Sequence, residues 1–116
     1  MKSSELHKSI SDEITKSIKA HEKDLDEALK ILTLLANPTR LKMAYLLSQK
    51  ELCTTDLERI LNAEQTLISH HLKDFKKLNL TRERREGKWR YYSIKDKKLR
   101  DIFRAIEIEG TKKETA

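Results

Sequence analysis

Three groups of side chains in this chain have types and spacing suited to chemistry. The first is Gln65, Thr66, Ser69, His70 and Lys73, within "QTLISHHLKDFKKL". Each can hydrogen-bond a base edge or a phosphate oxygen. The second is Arg84, Arg85, Lys88 and Arg90, in "RREGKWR". Four cations in seven residues suit a polyanion better than a reaction centre. The third is Cys53, the single cysteine, in "ELCTTDL" just before an expected helix start. A thiol there is a sensor ligand, a reactive group or a small apolar residue. No nucleophile–base pair, glycine-rich phosphate loop or catalytic metal set is legible. The chain is therefore expected to be no enzyme and to need no cofactor.

Charge placement supports the second group. The 116 residues carry a net charge of +6. Residues 73–90 hold eight basic and three acidic residues, so most of the excess lies in one short segment. That is the footprint of a phosphate-binding surface, although a solvated charged face would read the same way. With 38% charged and 37% hydrophobic residues, one domain with a modest core is expected. No apolar run approaches a membrane span, and the first residues lack a signal-peptide core. A lone cysteine cannot form an intrachain disulfide, so a reducing cytoplasm is the expected setting.

The elements that must position these groups follow from periodicity. Leu6, Ile10, Ile14 and Ile18 recur every four residues, the stripe of an amphipathic helix. Asp24 and Glu27 read as a capping box opening a second helix, "LDEALKILTLLA", or the two runs are one long bent helix. Asn37 suits an N-cap and Pro38 the first helical position, with Leu41, Ala44, Tyr45 and Ser48 on one face. "TTDLERIL" is a short helix with Leu57, Ile60 and Leu61 inward. "NAE" is a tight turn. A longer helix over 65–78 follows, with Leu67, Ile68, His71, Leu72, Phe75 and Leu78 at or beside its inner face. Two helices about a short turn make a helix-turn-helix, and Gln65, Thr66, Ser69, His70 and Lys73 fall mainly on the outer side of the second.

From 81 to 94 the period changes to two, with Gly87 at the middle, which predicts a hairpin. A basic hairpin directly after such a helix is a wing. Trp89 and Tyr91 share one face and are expected to pack, with Tyr92 and Ile94 towards the core. Leu99, Ile102, Phe103 and Ile106 form a last helical stripe. The fold expected is mainly α with a small β-hairpin wing. A winged helix-turn-helix over 24–95 is flanked by an N-terminal helix or arm (1–23), a C-terminal helix (96–109) and a flexible tail (110–116). Leu6, Ile10, Ile14, Ile18, Leu99, Ile102, Phe103 and Ile106 are expected at a homodimer interface. The expected partner is a double-stranded DNA operator, read as a palindrome by helix 65–78 and wing 81–94. The other reading is a sequence-tolerant nucleic-acid or architectural binding protein.

The sequence also resembles the ArsR/SmtB family of repressors. "LANPTRLKMAYLL" resembles that family's L-x-D-P-T-R-L-x-I-L-x-L-L helix, and "ELCTTDL" its E-L-C-V-C-D-L or E-L-C-V-G-D-L segment. "QTLISHHLKDFKKLNL" resembles its S-x-x-V-S-x-H-L-K-x-L recognition helix, and "RREGKWRYYSI" its R-R-E-G-R-x-x-Y-Y-x-L wing. The resemblance runs from Leu25 to Ile94 and implies a homodimeric repressor that releases DNA on metal binding or cysteine oxidation. The sensor motif departs from the pattern. Thr55 stands where arsenic-type members have a second cysteine, so no soft trithiolate site forms within one chain. The zinc-type pattern leaves Cys53, Asp56 and His7, across a dimer, as weak metal candidates. His7 and His21 lie roughly 21 Å apart along one helix and cannot share an ion. The last helix has no histidine, so the family's other metal site is not expected. The effector is left open. Cys53 is read first as a small residue at a helix start, and otherwise as a reactive thiol.

Overall fold

The computed structural model describes residues 2–106. Nine elements follow in order: α1 (Ser3–Ala20), α2 (Glu22–Leu35), α3 (Pro38–Gln49), β1 (Leu52–Cys53), α4 (Thr54–Leu61), α5 (Gln65–Lys77), β2 (Thr81–Glu86), β3 (Trp89–Ile94) and α6 (Lys97–Ala105). The expected helix end at 107–109 and tail at 110–116 lie outside the described residues. The chain forms two compact units, one of residues 1–32 and one beginning at Thr33. The division falls inside α2, not after residue 23.

In the first unit, α1 has no buried residue. Leu6, Ile10, Ile14 and Ile18 make the expected stripe and are 45–54% exposed. Two helices form, not one: His21 leaves helical geometry at φ −112°, ψ 10°, and α2 restarts with Leu25 N–H donating to the His21 carbonyl. Asp24 lies inside α2, so it does not open a capping box there. Its carboxylate instead stands 3.8 Å from His21 Nδ1.

In the second unit, Asn37 caps α3 as expected, its side chain accepting from Arg40 N–H at 3.0 Å, with Pro38 first in the helix. The inward face of α3 is Met43, Ala44 and Leu47; Leu41 is exposed and Tyr45 half-buried. The face is rotated because α3 must cover both β3 and α6. Arg40 serves the fold here, its Nε donating to the Leu34 carbonyl. The core also takes Leu34, Leu35, Leu57, Ile68, Leu72, Phe75, Leu80 and Ile94. Ile60 on α4 and Leu67 on α5 are exposed, contrary to expectation. Each lies just outside the seam along which the two short helices meet, where Leu57 and Ile68 are fully buried.

The hairpin is as expected, with Gly87 at φ 60° in its turn, a conformation that glycine adopts without strain. Register pairs Thr81 with Ile94, Arg84 with Tyr91 and Arg85 with Arg90. A short strand, β1, adds Leu52 and Cys53 to the free edge of β3, giving the order β1-β3-β2.

The last helix corrects the dimer stripe. Leu99 and Phe103 are buried in their own chain at 1% and 2% exposure. The Phe103 ring meets Tyr45 edge-on, with centroids 5.5 Å apart. Asp96 caps α6 by accepting from Lys98 N–H, and the helix turns its strongest apolar face onto α3. Ile102 is half-buried and Ile106 exposed.

Candidate nucleic-acid interface

The turn between α4 and α5 is closed by local chemistry. Asn62 takes the left-handed conformation (φ 50°), which an asparagine tolerates, and Ala63 N–H donates back to the Glu58 carbonyl. Helix α5 then starts at Gln65. Its buried row is Ile68, His71, Leu72 and Phe75, a helical i, i+3, i+4, i+7 set. Burying that row turns Thr66, His70 and Lys73 outward and leaves Gln65 exposed at the helix start, with Ser69 half-buried at the margin. All five expected residues therefore lie on or beside one outer face. His70 Nε2 is 3.9 Å from Asp74 Oδ2, which loosely orients its ring.

His71 is a core residue. It is 5% exposed, and its Nδ1 has no hydrogen-bond partner among the described residues. Burial, then the nearby Arg40 charge, pushes its pKa below the usual histidine value.

The wing stands beside α5. Alternation puts Thr81, Glu83, Arg90 and Tyr92 on the side towards the helix, where they border a groove of about 350 Å³ with Ser69 and Lys73. Lys76, one turn beyond Lys73, lines it too. Lys76 is not among the expected contact residues, although its i+3 spacing from Lys73 puts it on the same helix face. A second notch of about 320 Å³ opens at the wing tip, among Gln65, Ser69, Lys88 and Arg90. The two openings bring together the outer face of α5 and most of the basic wing. Arg90 is 3.8 Å from Glu83, an exposed pair too weak to withhold it from an anion.

Two expectations for the wing change. Arg84 sits apart from the other wing cations: its guanidinium binds Glu51 and Glu86 and lies 4.7 Å from the Tyr91 ring centre. Trp89, expected to pack, is 43% exposed.

The sensor candidates do not assemble a soft-metal set. Cys53 is buried at the start of α4. Its backbone N–H and its thiol both donate to Asp56 Oδ2, at 3.1 and 3.2 Å. These bonds, the backbone one foremost, hold the Asp56 carboxyl below its usual pKa. One thiol and one carboxylate, already hydrogen-bonded to each other, are two donors. Among the described residues no group of three or more histidine, cysteine or carboxylate side chains comes together. His7 belongs to the first unit.

Comparison with known proteins agrees with this geometry. Residues 37–82 match the family described as bacterial regulatory protein, arsR family. A cadmium resistance transcriptional regulatory protein CadC homolog of Staphylococcus aureus is 36% identical over 77 residues, covering 66% of this chain. The chain spans 64% of that relative's length. An arsenical resistance operon repressor of the same organism is 33% identical over 81 residues, covering 70% of this chain and 78% of the relative. A homodimeric winged helix-turn-helix DNA-binding domain from Mycobacterium bovis superposes with a TM-score of 0.66 at 28% identity, covering 78% of this chain and 82% of that one. The match across the helix-turn-helix, together with relatives aligned over most of their own length, establishes that the chain belongs to the arsR family of bacterial regulatory proteins.

Proposed function

We propose that the chain is a transcriptional repressor that binds a palindromic DNA operator as a homodimer. Helix 65–78 enters the major groove, and the wing at 81–94 tracks the adjacent backbone. One observation carries the reading: the polar outer row of α5 and the basic groove-lining side of the hairpin border the same two openings. Gln65, Thr66 and Ser69 supply groups able to read base edges, while Lys73, Lys88 and Arg90 supply phosphate contacts. Two copies reach half-sites one helical turn apart. The exposed stripe of α1, together with Ile106, gives each copy apolar surface for pairing. The names of the relatives, two of them repressors or regulators of metal resistance, fit this role.

The test compares binding to the chain's own promoter fragment with binding to random DNA at several salt concentrations. Tighter promoter binding is expected, and Gln65→Ala, Thr66→Ala or Ser69→Ala should reduce the discrimination by about 1–3 kcal/mol where a base contact is lost. Equal affinity for both DNAs would leave a sequence-tolerant binder instead.

A further inference from the structure

Glu83 is the one carboxylate among the residues that border the groove between α5 and the wing. Lys73, Lys76 and Arg90 line the same groove, and Ser69, Thr81 and Tyr92 add hydroxyls. Three cations and three hydroxyls suit a run of phosphates. A carboxylate among them does not, because it repels the same ligand.

Stability does not account for its presence. The ion pair of Glu83 with Arg90 is 3.8 Å long and exposed, too loose and too solvated to strengthen the fold much. What holds Glu83 in place is the strand beside it. Glu83 stands directly opposite Tyr92 in the ladder. Burial, then a hydrogen bond with Glu83, pushes the half-buried Tyr92 phenol above its ordinary pKa. The carboxylate is thus tied to the groove-lining side of the sheet. When a phosphate enters, Arg90 exchanges a weak partner for a strong one. Glu83 has no such exchange open to it, and its charge stays beside the backbone. The hairpin's other carboxylate differs: by alternation Glu86 faces the opposite side, where it accepts from Arg84 at 2.8 Å.

We propose that Glu83 is an affinity-limiting residue, whose carboxylate inside the groove opposes the phosphate contacts of Lys73, Lys76 and Arg90. The inference rests on the DNA-binding reading above and adds a counterforce to it. Opposition to the backbone is blind to sequence. It weakens operator and random DNA by the same factor, leaves discrimination to Gln65, Thr66 and Ser69, and makes the complex easier to release. Two unit charges about 4 Å apart interact by about 1 kcal/mol in water. That energy is about fivefold in affinity.

The test measures the affinity of the intact chain for its own promoter fragment and for random DNA at several salt concentrations. Glu83→Gln keeps an acceptor for Tyr92 and removes the charge. It should tighten binding to both DNAs by about fivefold and steepen the salt slope by about one. Glu83→Ala should do the same. Glu86→Gln, the same change of charge on the opposite face, should alter neither quantity. Equal tightening in Glu86→Gln would overturn the proposal, since net charge alone would then explain the effect. Weaker binding in Glu83→Ala would overturn it too, by making Glu83 a support for Arg90. So would wild-type affinity in both Glu83 variants, or tightening confined to the promoter fragment. In each of these outcomes the wild type still binds DNA. If the wild type binds neither DNA at any salt concentration, the DNA-binding reading itself has failed, and the proposal with it.

Discussion

Arg84 and Glu51 are joined by a forked ion pair across the outer side of the sheet. Arg84 Nη2 meets Glu51 Oε1 at 2.7 Å, and Nε contacts both carboxylate oxygens at 3.1 and 3.2 Å. Arg84 Nη1 donates to Glu86 at 2.8 Å. The guanidinium thus reaches from β2, over Tyr91 of β3, to the residue preceding β1. It straps the wing to the segment that opens the helix-turn-helix. The Arg84 hydrogen bonds hold the Glu51 carboxyl below its ordinary pKa of 4.5.

The first prediction separates this strap from the phosphate contacts. Arg85→Ala and Lys88→Ala should each weaken binding to every DNA and reduce the salt slope by about one. Arg84→Ala removes a cation of equal charge, but one already neutralised by two carboxylates. Its salt slope should match the wild type. A slope reduced as much as in Lys88→Ala would show that Arg84 leaves its carboxylates to bind phosphate. The sign with pH is fixed by the lowered Glu51 pKa: the pair's contribution is full above about 4.5 and is lost as the pH falls from there through the lowered value.

The second prediction divides the apolar residues of the two ends. Phe103 lies in the core of its own chain against Tyr45, so Phe103→Ala should destabilise folding by about 3–5 kcal/mol in denaturant titrations. Ile10 and Ile14 are exposed in α1. Ile10→Glu with Ile14→Glu should leave the far-ultraviolet circular dichroism nearly intact and shift light scattering towards monomer. A double variant that stays dimeric would remove α1 from the interface.

Most of the fold was legible because its signals are local. Asn37-Pro38, the change of period after residue 80 and Gly87 each act within a few residues, and each element they mark is present. The errors arose where distant packing decides. Periodicity showed that Leu99 and Phe103 share a helix face, but not whether that face meets Tyr45 or a second chain. The same limit misplaced Leu41 and Ile60, which lie at the edges of faces set by tertiary neighbours. β1 is two residues long, too short for any periodic signal. At the interface, charge counting could find Arg84 but could not see that Glu51, 33 residues earlier, neutralises it.

The third prediction concerns His71. Its ring is buried, its Nδ1 has no partner among the described residues, and burial foremost lowers its pKa from 6.5. The unfolded chain therefore takes up a proton at a higher pH than the folded one. Stability should be level above about pH 6.5 and fall as the pH drops from there towards the lowered folded value. Thermal melts from pH 8 to pH 5 should show this decline, and His71→Leu should flatten that part of it. An identical decline in His71→Leu would place the proton uptake elsewhere.

The last prediction concerns the thiol. Cys53 is 6% exposed and spends its hydrogen-bonding capacity at the start of α4, where it and Asp56 close a capping arrangement. A serine hydroxyl can make the same donation to Asp56 in nearly the same volume. Cys53→Ser should thus keep fold and operator affinity close to wild type. Asp56→Ala loses both bonds and should destabilise the chain by about 1 kcal/mol. Because the Asp56 pKa is lowered from 3.8, its contribution is full above that pH and is lost as pH falls below it. One thiolate per chain supplies too few soft ligands for tight arsenite capture. Arsenite should therefore release DNA from neither the wild type nor Cys53→Ser. The measurement is an operator titration of both proteins with arsenite, zinc and a thiol oxidant in turn. Release of the wild type by any one of these, abolished by Cys53→Ser, would make this buried thiol the sensor and require α4 to open at its first turn to expose it.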